Sequence, residues 1–200
     1  MEKKKIIAII PARIGSKGIK YKNLKKVNGK SLVEICIKNA KNIKGVSKVA
    51  VSTDSKKIQN LSKKQGAWCE KLRPKNLSKK NSQTNLALLH TLKEINEEFD
   101  YVIELQPTYL FRRKKTLSKA INMLLKNKKY DSLISIVKIQ DTSHPDYVIQ
   151  KKDHQLKFKS SATNFNRHYL NARYKPIGLI IISKYENFIK KKDMLTGKIL

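Results

Sequence analysis

Ile6-Ile-Ala-Ile-Ile10, followed by Pro11-Ala-Arg13-Ile-Gly15-Ser16-Lys17-Gly18-Ile-Lys-Tyr-Lys22-Asn23, is the stretch that decides the fold. A continuous apolar run rich in β-branched residues and closed by proline reads as a strand buried on both faces, the place of a central strand in a parallel sheet. In an open parallel sheet, ligands bind beyond the carboxyl ends of the strands, so the segment after Ile10 is the first candidate site. Gly15 and Gly18 are expected to adopt positive φ and bring backbone amides close to an anion, and Ser16 to offer a hydroxyl. Arg13, Lys17 and Lys22 add three cations. A loop of this kind can wrap a polyphosphate. Its Gly15-Ser-Lys-Gly18 spacing fits neither the dinucleotide fingerprint nor the Walker loop, and taken alone it also fits a solvated turn.

Outward from this strand, apolar runs alternate with segments of helical period. Val49 to Ser52, Tyr101 to Leu105, Leu133 to Val137 and Leu179 to Ile182 have strand length. Leu32 to Ile43, Ile58 to Gln65, Leu86 to Ile95, Leu117 to Leu125 and a short segment around Tyr185 to Lys190 carry apolar residues three and four apart, so each can lay one stripe on a sheet. The alternation predicts an α/β fold, a mostly parallel sheet with flanking helices, in a single domain over residues 1–200. After Asp141 the pattern loosens. Tyr147 to Ile149 and Leu156 to Phe158 suggest a small hairpin excursion, and Ser160 to Asn166 is polar and turn-prone.

Composition narrows the partners. The 200 residues carry 45 basic against 15 acidic side chains, a formal +30, which raises nucleic acid as a partner. Only six of the basic residues are Arg, the other 39 are Lys, and the Lys are spread over nearly every segment. Readers of phosphates and base edges gather Arg on one face, so the composition argues against nucleic-acid binding as the main role. Cys36 and Cys69 lack metal-ligand spacing, and two thiols in a chain of this length make no disulfide framework, which suits a reducing compartment. No apolar run reaches the roughly 20 residues a bilayer requires. A cytoplasmic location without membrane attachment is expected.

The wider string carries a specific likeness. Pro11-Ala-Arg13 directly after a buried strand, then Gly15-Ser-Lys-Gly18, then Lys22-Asn23, closely resembles the nucleotide-binding signature of the CMP-N-acylneuraminate synthetases, the acylneuraminate cytidylyltransferases. The likeness continues in order through Val51-Ser-Thr-Asp54, Gly66-Ala67, Arg73-Pro74 with Leu77, Leu105-Gln-Pro-Thr108 with Arg112, Asn166-Arg167, and Tyr174-Lys-Pro-Ile-Gly178. It spans essentially the whole chain. It implies a three-layer Rossmann-like nucleotidyltransferase fold and transfer of CMP from CTP to an acidic nine-carbon sugar of the sialic, legionaminic or pseudaminic type, with release of pyrophosphate. By the same resemblance Arg13, Lys22 and Arg167 are the catalytic candidates. Arg13, Gly15, Ser16, Lys17, Gly18, Lys22, Asn23, Arg73 and Thr84 would bind the nucleotide, and Gln106 and Arg167 would face the sugar, whose carboxylate a guanidinium can pair. A homodimer is implied, joined through the 141–166 hairpin, as is Mg²⁺ held by an Asp pair expected beyond Leu200.

Four departures from the family pattern qualify this reading. Tyr109-Leu110 replaces Ser-Pro, Lys80 stands where Asp is usual, Ile177 replaces the Asn of Pro-Asn-Gly, and the chain ends before the strand and helix that carry the Asp pair, which suggests truncation. The last of these leaves the metal ligands unknown within the 200 residues. Asp54, at the end of a strand, could serve ribose, a metal or the cap of the following helix. The alternatives are an eight-carbon 3-deoxy-octulosonic acid as acceptor, a non-catalytic nucleotide-binding relative, and a basic nucleic-acid-binding protein.

Overall fold

The structure, a computed structural model, describes residues 4–16, 18–79, 81–140, 149–152, 155–158 and 172–200. In chain order the elements are β1 (Ile6–Pro11), β2 (Lys26–Val27), β3 (Lys30–Ser31), α1 (Leu32–Lys41), β4 (Val46–Ser52), α2 (Lys56–Lys64), α3 (Thr84–Ile95), β5 (Tyr101–Glu104), α4 (Lys114–Lys126), β6 (Ser132–Lys138), β7 (Ile149–Lys152), β8 (Gln155–Phe158), β9 (Tyr174–Lys184) and α5 (Tyr185–Lys191). They fall into two compact units, Met1–Ile134 with Gly178–Leu200, and Ser135–Ile177.

The main sheet has the order β4-β1-β5-β9-β6. β1 lies parallel to β4 on one side and to β5 on the other, with Ile9 opposite both Ala50 and Glu104. β9 enters antiparallel beside β5, pairing Ile103 with Ile182. β1 is therefore an interior strand flanked by parallel partners that arrive from distant parts of the sequence, and the carboxyl ends of β4, β1 and β5 open on the same side.

The side chains of β1 show why the apolar run is continuous. Ile6, Ala8 and Ile10 pack into a core with Val33, Cys36 and Ile37 of α1 and Leu117, Ile121 and Leu124 of α4. Ile7 and Ile9 face the other way, onto Leu88 and Leu92 of α3 and Phe188 of α5. Successive side chains of a strand point to opposite faces, so a sheet covered on both sides needs apolar residues at every position. Each fully buried Ile here stabilises the fold by about 1.5–3 kcal/mol relative to exposure. The result is helix, sheet, helix, as the alternating pattern predicts.

Local signals set the helix starts. Ser31 caps α1 in a reciprocal box with Glu34, whose carboxyl is held below its ordinary range first by the Ser31 hydroxyl. Ser55, not Asp54, caps α2 through Ile58 N–H, so the capping role considered for Asp54 belongs to its neighbour. The two-residue ribbon of β2 and β3 turns through Asn28 and Gly29, both at positive φ (48° and 77°), the dipeptide favoured in tight hairpins.

In the second unit β7 and β8 pair antiparallel, with Ile149 opposite Phe158. Ile139 N–H donates to the Arg173 carbonyl at 2.8 Å, and Ser135 Oγ–H to the Ile177 carbonyl at 2.7 Å. The hairpin thus occupies residues 149–158 of the expected excursion. Tyr147, the 160–166 stretch and Arg167 lie outside the described residues. No helix among the described residues is long and apolar enough to cross a membrane.

Candidate active site

A cleft of about 480 Å³ opens where β1 and β5 end. Its walls come from the loop after β1, from the segment between Arg73 and Thr84, and from Glu104 to Thr108. Among the described residues Arg13, Lys22, Arg73 and Lys79 line it, against one acidic side chain, Glu104. A pocket so lined attracts anions, because fixed cations on low-dielectric walls focus the field into the opening.

The loop after β1 is pinned at several points. Ala12 N–H continues the ladder to the Ser52 carbonyl at 2.9 Å, and Ile14 N–H donates to Asp54 Oδ1 at 2.8 Å. The buried Asn23 donates its side-chain amide to the Arg13 carbonyl at 2.9 Å, and Arg13 Nη1 reaches the Lys79 carbonyl at 3.0 Å. Arg13 is half-buried, with Gly15, Ser16, Gly18 and Lys22 beside it on the cleft. Asn23 therefore shapes the loop as well as lining the site. Lys17 is outside the described residues.

One expectation about this loop is corrected. Neither Gly15 nor Gly18 has positive φ; that conformation is taken by Tyr21, at φ 54°. Tyr21 leads into the Lys22–Leu24 helical turn, with Leu24 N–H bonded to the Tyr21 carbonyl at 2.8 Å. A Cβ built on Gly15 or Gly18 would meet no atom within 4 Å. Backbone strain accordingly gives no reason for glycine at either position.

Arg73 and Thr84 form the facing wall. Arg73 is buried, its Nε donating to Ser52 Oγ at 3.3 Å and its Nη2 to the Ser52 carbonyl at 2.5 Å. Burial pulls its guanidinium below the ordinary value, Asp54 pushes it back up, and Arg13 lowers it again. The residue thus holds the end of β4 and still borders the cleft. Thr84 is exposed at the first turn of α3, a helix end whose orphan N–H groups and dipole favour negative charge.

Gln106 occupies the third wall, half-buried, its Nε2 donating to Glu104 Oε1 at 3.1 Å. Glu104 closes β5 and is 4% exposed; desolvation raises its pKa, and the Gln106 hydrogen bond partly offsets the rise. The buried Arg112 donates from Nε to the Leu179 carbonyl at 2.9 Å, from Nη2 to the Gln106 carbonyl at 2.5 Å, and from Nη1 to the Tyr109 carbonyl. It also approaches Cys36 Sγ at 3.8 Å, a thiol that burial pushes up to about 11 and that is therefore neutral. Glu104 and the anchoring role of Arg112 are the features sequence reasoning missed. The available signal for Glu104 was a lone carboxylate ending the otherwise apolar Tyr101-Val-Ile run.

The structure thus brings Arg13, Gly15, Ser16, Gly18, Lys22, Asn23, Arg73, Thr84 and Gln106 to one cleft. Arg167 lies outside the described residues. Among the described residues no group of three or more His, Cys, Asp or Glu side chains converges to hold a metal ion.

The model of the family described as "Cytidylyltransferase" matches residues 7–195. The N-acylneuraminate cytidylyltransferase of Escherichia coli O18:K1:H7 is 28% identical over 190 residues, covering 94% of this chain and 44% of that protein. The CMP-N,N'-diacetyllegionaminic acid synthase of Legionella pneumophila is 35% identical over 60% of this chain and 53% of its own length. The pseudaminic acid cytidylyltransferase of Campylobacter jejuni serotype O:23/36 is 32% identical over 62% and 54%. The chain spans about half the length of these curated relatives. Among solved structures, a CMP:2-keto-3-deoxy-manno-octonic acid synthetase complexed with CTP superposes with a TM-score of 0.69 at 18% identity, covering 93% of this chain and 78% of the other. A 4-diphosphocytidyl-2C-methyl-D-erythritol synthase gives 0.64 at 13%, covering 98% and 82%. Both likenesses are of fold.

Proposed function

The chain belongs to the cytidylyltransferase family, and from that premise we propose that it transfers CMP from CTP to an acidic nine-carbon sugar of the sialic, legionaminic or pseudaminic type. The observation that carries this is the single cleft in which Arg13 and Lys22 of the strand-end loop face Arg73 and Thr84, with Gln106 on the remaining wall. In the reaction the sugar's anomeric oxygen forms a bond to the α-phosphorus of CTP. The bond from that phosphorus to the bridging oxygen breaks, pyrophosphate leaves with the electron pair, and the hydroxyl proton passes to solvent. Such a displacement is catalysed chiefly by alignment and by neutralising charge on the phosphates.

In this reading Arg13 and Lys22 stabilise charge developing on the triphosphate. Gly15, Ser16, Lys17, Gly18 and Asn23 hold it, and the open space around Gly15 and Gly18 supports close approach of phosphate oxygens to the backbone. Arg73 and Thr84 border the cytidine and ribose; Gln106 and Arg167 meet the sugar and its carboxylate. Mg²⁺, implied by the family resemblance, would shield the charge of the triphosphate, and no step above passes through it. The second unit exposes Ile136, Val137 and Tyr174 at 53%, 41% and 57%, apolar surface that suits a homodimer joined through the 141–166 region. The two buried free cysteines suit the cytoplasm.

The test is pyrophosphate release from CTP with N-acetylneuraminate, N,N'-diacetyllegionaminate, pseudaminate and 3-deoxy-octulosonate in parallel. Turnover with one of the nine-carbon acids is expected. Turnover with the eight-carbon acid alone would reassign the acceptor, and heat protection by CTP without turnover would leave a nucleotide-binding relative.

A further inference from the structure

Gln106 reaches the cleft with its side chain set between Glu104 and Gly178 and its backbone carbonyl held by Arg112. From below, Glu104 accepts its Nε2 at 3.1 Å. From above, the backbone of β9 presses on it: a Cβ on Gly178 would stand 2.5 Å from Gln106 Oε1 and 2.7 Å from Cδ, with the Tyr109 ring edge at 3.0 Å. Contacts that close are not found for a real Cβ, so any larger residue at 178 requires the Gln106 amide to move from this position. The third hold is Arg112, whose guanidinium ties the Gln106 and Tyr109 carbonyls to the carbonyl of Leu179, the residue after Gly178. One buried cation therefore sets the distance between the loop that carries Gln106 and the strand that covers it.

The consequence is directional. An amide has one donating and one accepting end, and a flip exchanges them. With Nε2 on the Glu104 carboxyl, Oε1 lies toward Gly178 and the second Nε2 hydrogen remains for another partner. We propose that Glu104 and Gly178 are positioning residues that fix the orientation of the Gln106 amide, and thereby set how the cleft reads the acceptor sugar. This rests on the proposed function in that Gln106 is taken to meet the sugar. The clamp itself stands on the contacts among Glu104, Gln106 and Gly178. Neither positioning residue has to touch substrate.

Two measurements separate the clamp from the function. In ¹⁵N spectra of the whole protein, the Gln106 side-chain NH₂ pair should move in Gly178→Ala and Glu104→Leu and stay near its wild-type position in Glu104→Gln, which keeps an acceptor oxygen. With CTP and whichever of the four acids turns over, Gly178→Ala and Glu104→Leu should raise the KM for the acid about tenfold, the size of one lost oriented hydrogen bond. The KM for CTP should stay within about twofold, and Glu104→Gln should restore the acid KM. Unmoved Gln106 resonances overturn the proposal. So does a moved amide with an unchanged acid KM, and so does Glu104→Gln behaving as badly as Glu104→Leu, which would give the carboxyl a chemical role instead. If wild type turns over none of the acids, the functional reading fails, and the resonances alone decide the clamp.

Discussion

Ile14 N–H donates to Asp54 Oδ1 at 2.8 Å, so the first loop of the cleft hangs from the end of a neighbouring strand 40 residues away. Asp54→Ala removes the acceptor and leaves a partly buried N–H without it. A loss of about 1–2 kcal/mol in stability is expected, together with a several-fold rise in KM for CTP. Asp54→Asn keeps an acceptor oxygen and should lie between Asp54→Ala and wild type. Urea unfolding and CTP titration read the two effects; Asp54→Ala with wild-type CTP affinity would remove the bond from the account of the loop.

Gly15→Ala and Gly18→Ala should leave the fold intact or slightly more stable, by up to about 1 kcal/mol, since neither position needs positive φ and neither Cβ would meet a neighbour. The same substitutions should raise the KM for CTP at least tenfold if the loop closes on phosphate. Melting temperature and KM are thus expected to move independently, and a drop in both would mean that the glycines serve the fold.

Arg112→Leu deprives the carbonyls of Gln106, Tyr109 and Leu179 of their shared donor. Each buried group left unpaired costs about 1–3 kcal/mol, so a loss of several kcal/mol in urea unfolding is expected. Arg112→Lys should recover only part, because an ammonium cannot reproduce the planar fork. Full recovery by Lys would mean that charge, not geometry, is what the site needs.

Glu104 binds its proton more tightly in the folded chain than in the unfolded one, chiefly because burial disfavours the carboxylate. Folding then takes up protons in the window just above the ordinary Glu value of 4.5, and stability falls as pH rises through it. The difference in melting temperature between Glu104→Gln and wild type should therefore grow in favour of the variant from about pH 4 to pH 7, a range that spans the ordinary carboxylate value. A difference independent of pH would show that Glu104 titrates alike in both states.

The fold was legible because burial on both faces leaves a visible mark: Ile6 to Ile10 must be apolar throughout to feed two cores, and the helices that cover it repeat their apolar residues at helical spacing. The insertion of β9 between β5 and β6 left no such mark, since strand order depends on pairings between residues far apart in sequence, and Ile103 says nothing locally of Ile182. The ribbon at Asn28-Gly29 carried its turn signal, but strands of two residues are too short to show a period. At the site, the cations and glycines of residues 13–22 stood together in the sequence. The clamp on Gln106 did not, because a guanidinium bonded to three carbonyls is fixed by backbone geometry and has no spacing to recognise. Gly15 and Gly18 line the cleft without the conformation expected of them: the lack of a Cβ announces glycine's freedom without saying which use is made of it.

The central claim is that the cationic loop after β1 grips the triphosphate of CTP. A crystal structure with CTP tests it most directly. Phosphate oxygens within hydrogen-bond distance of Arg13, Lys22 and the backbone N–H groups around Gly15 to Gly18 are the predicted result. Nucleotide density elsewhere on the protein, with this loop making no phosphate contact, would contradict it.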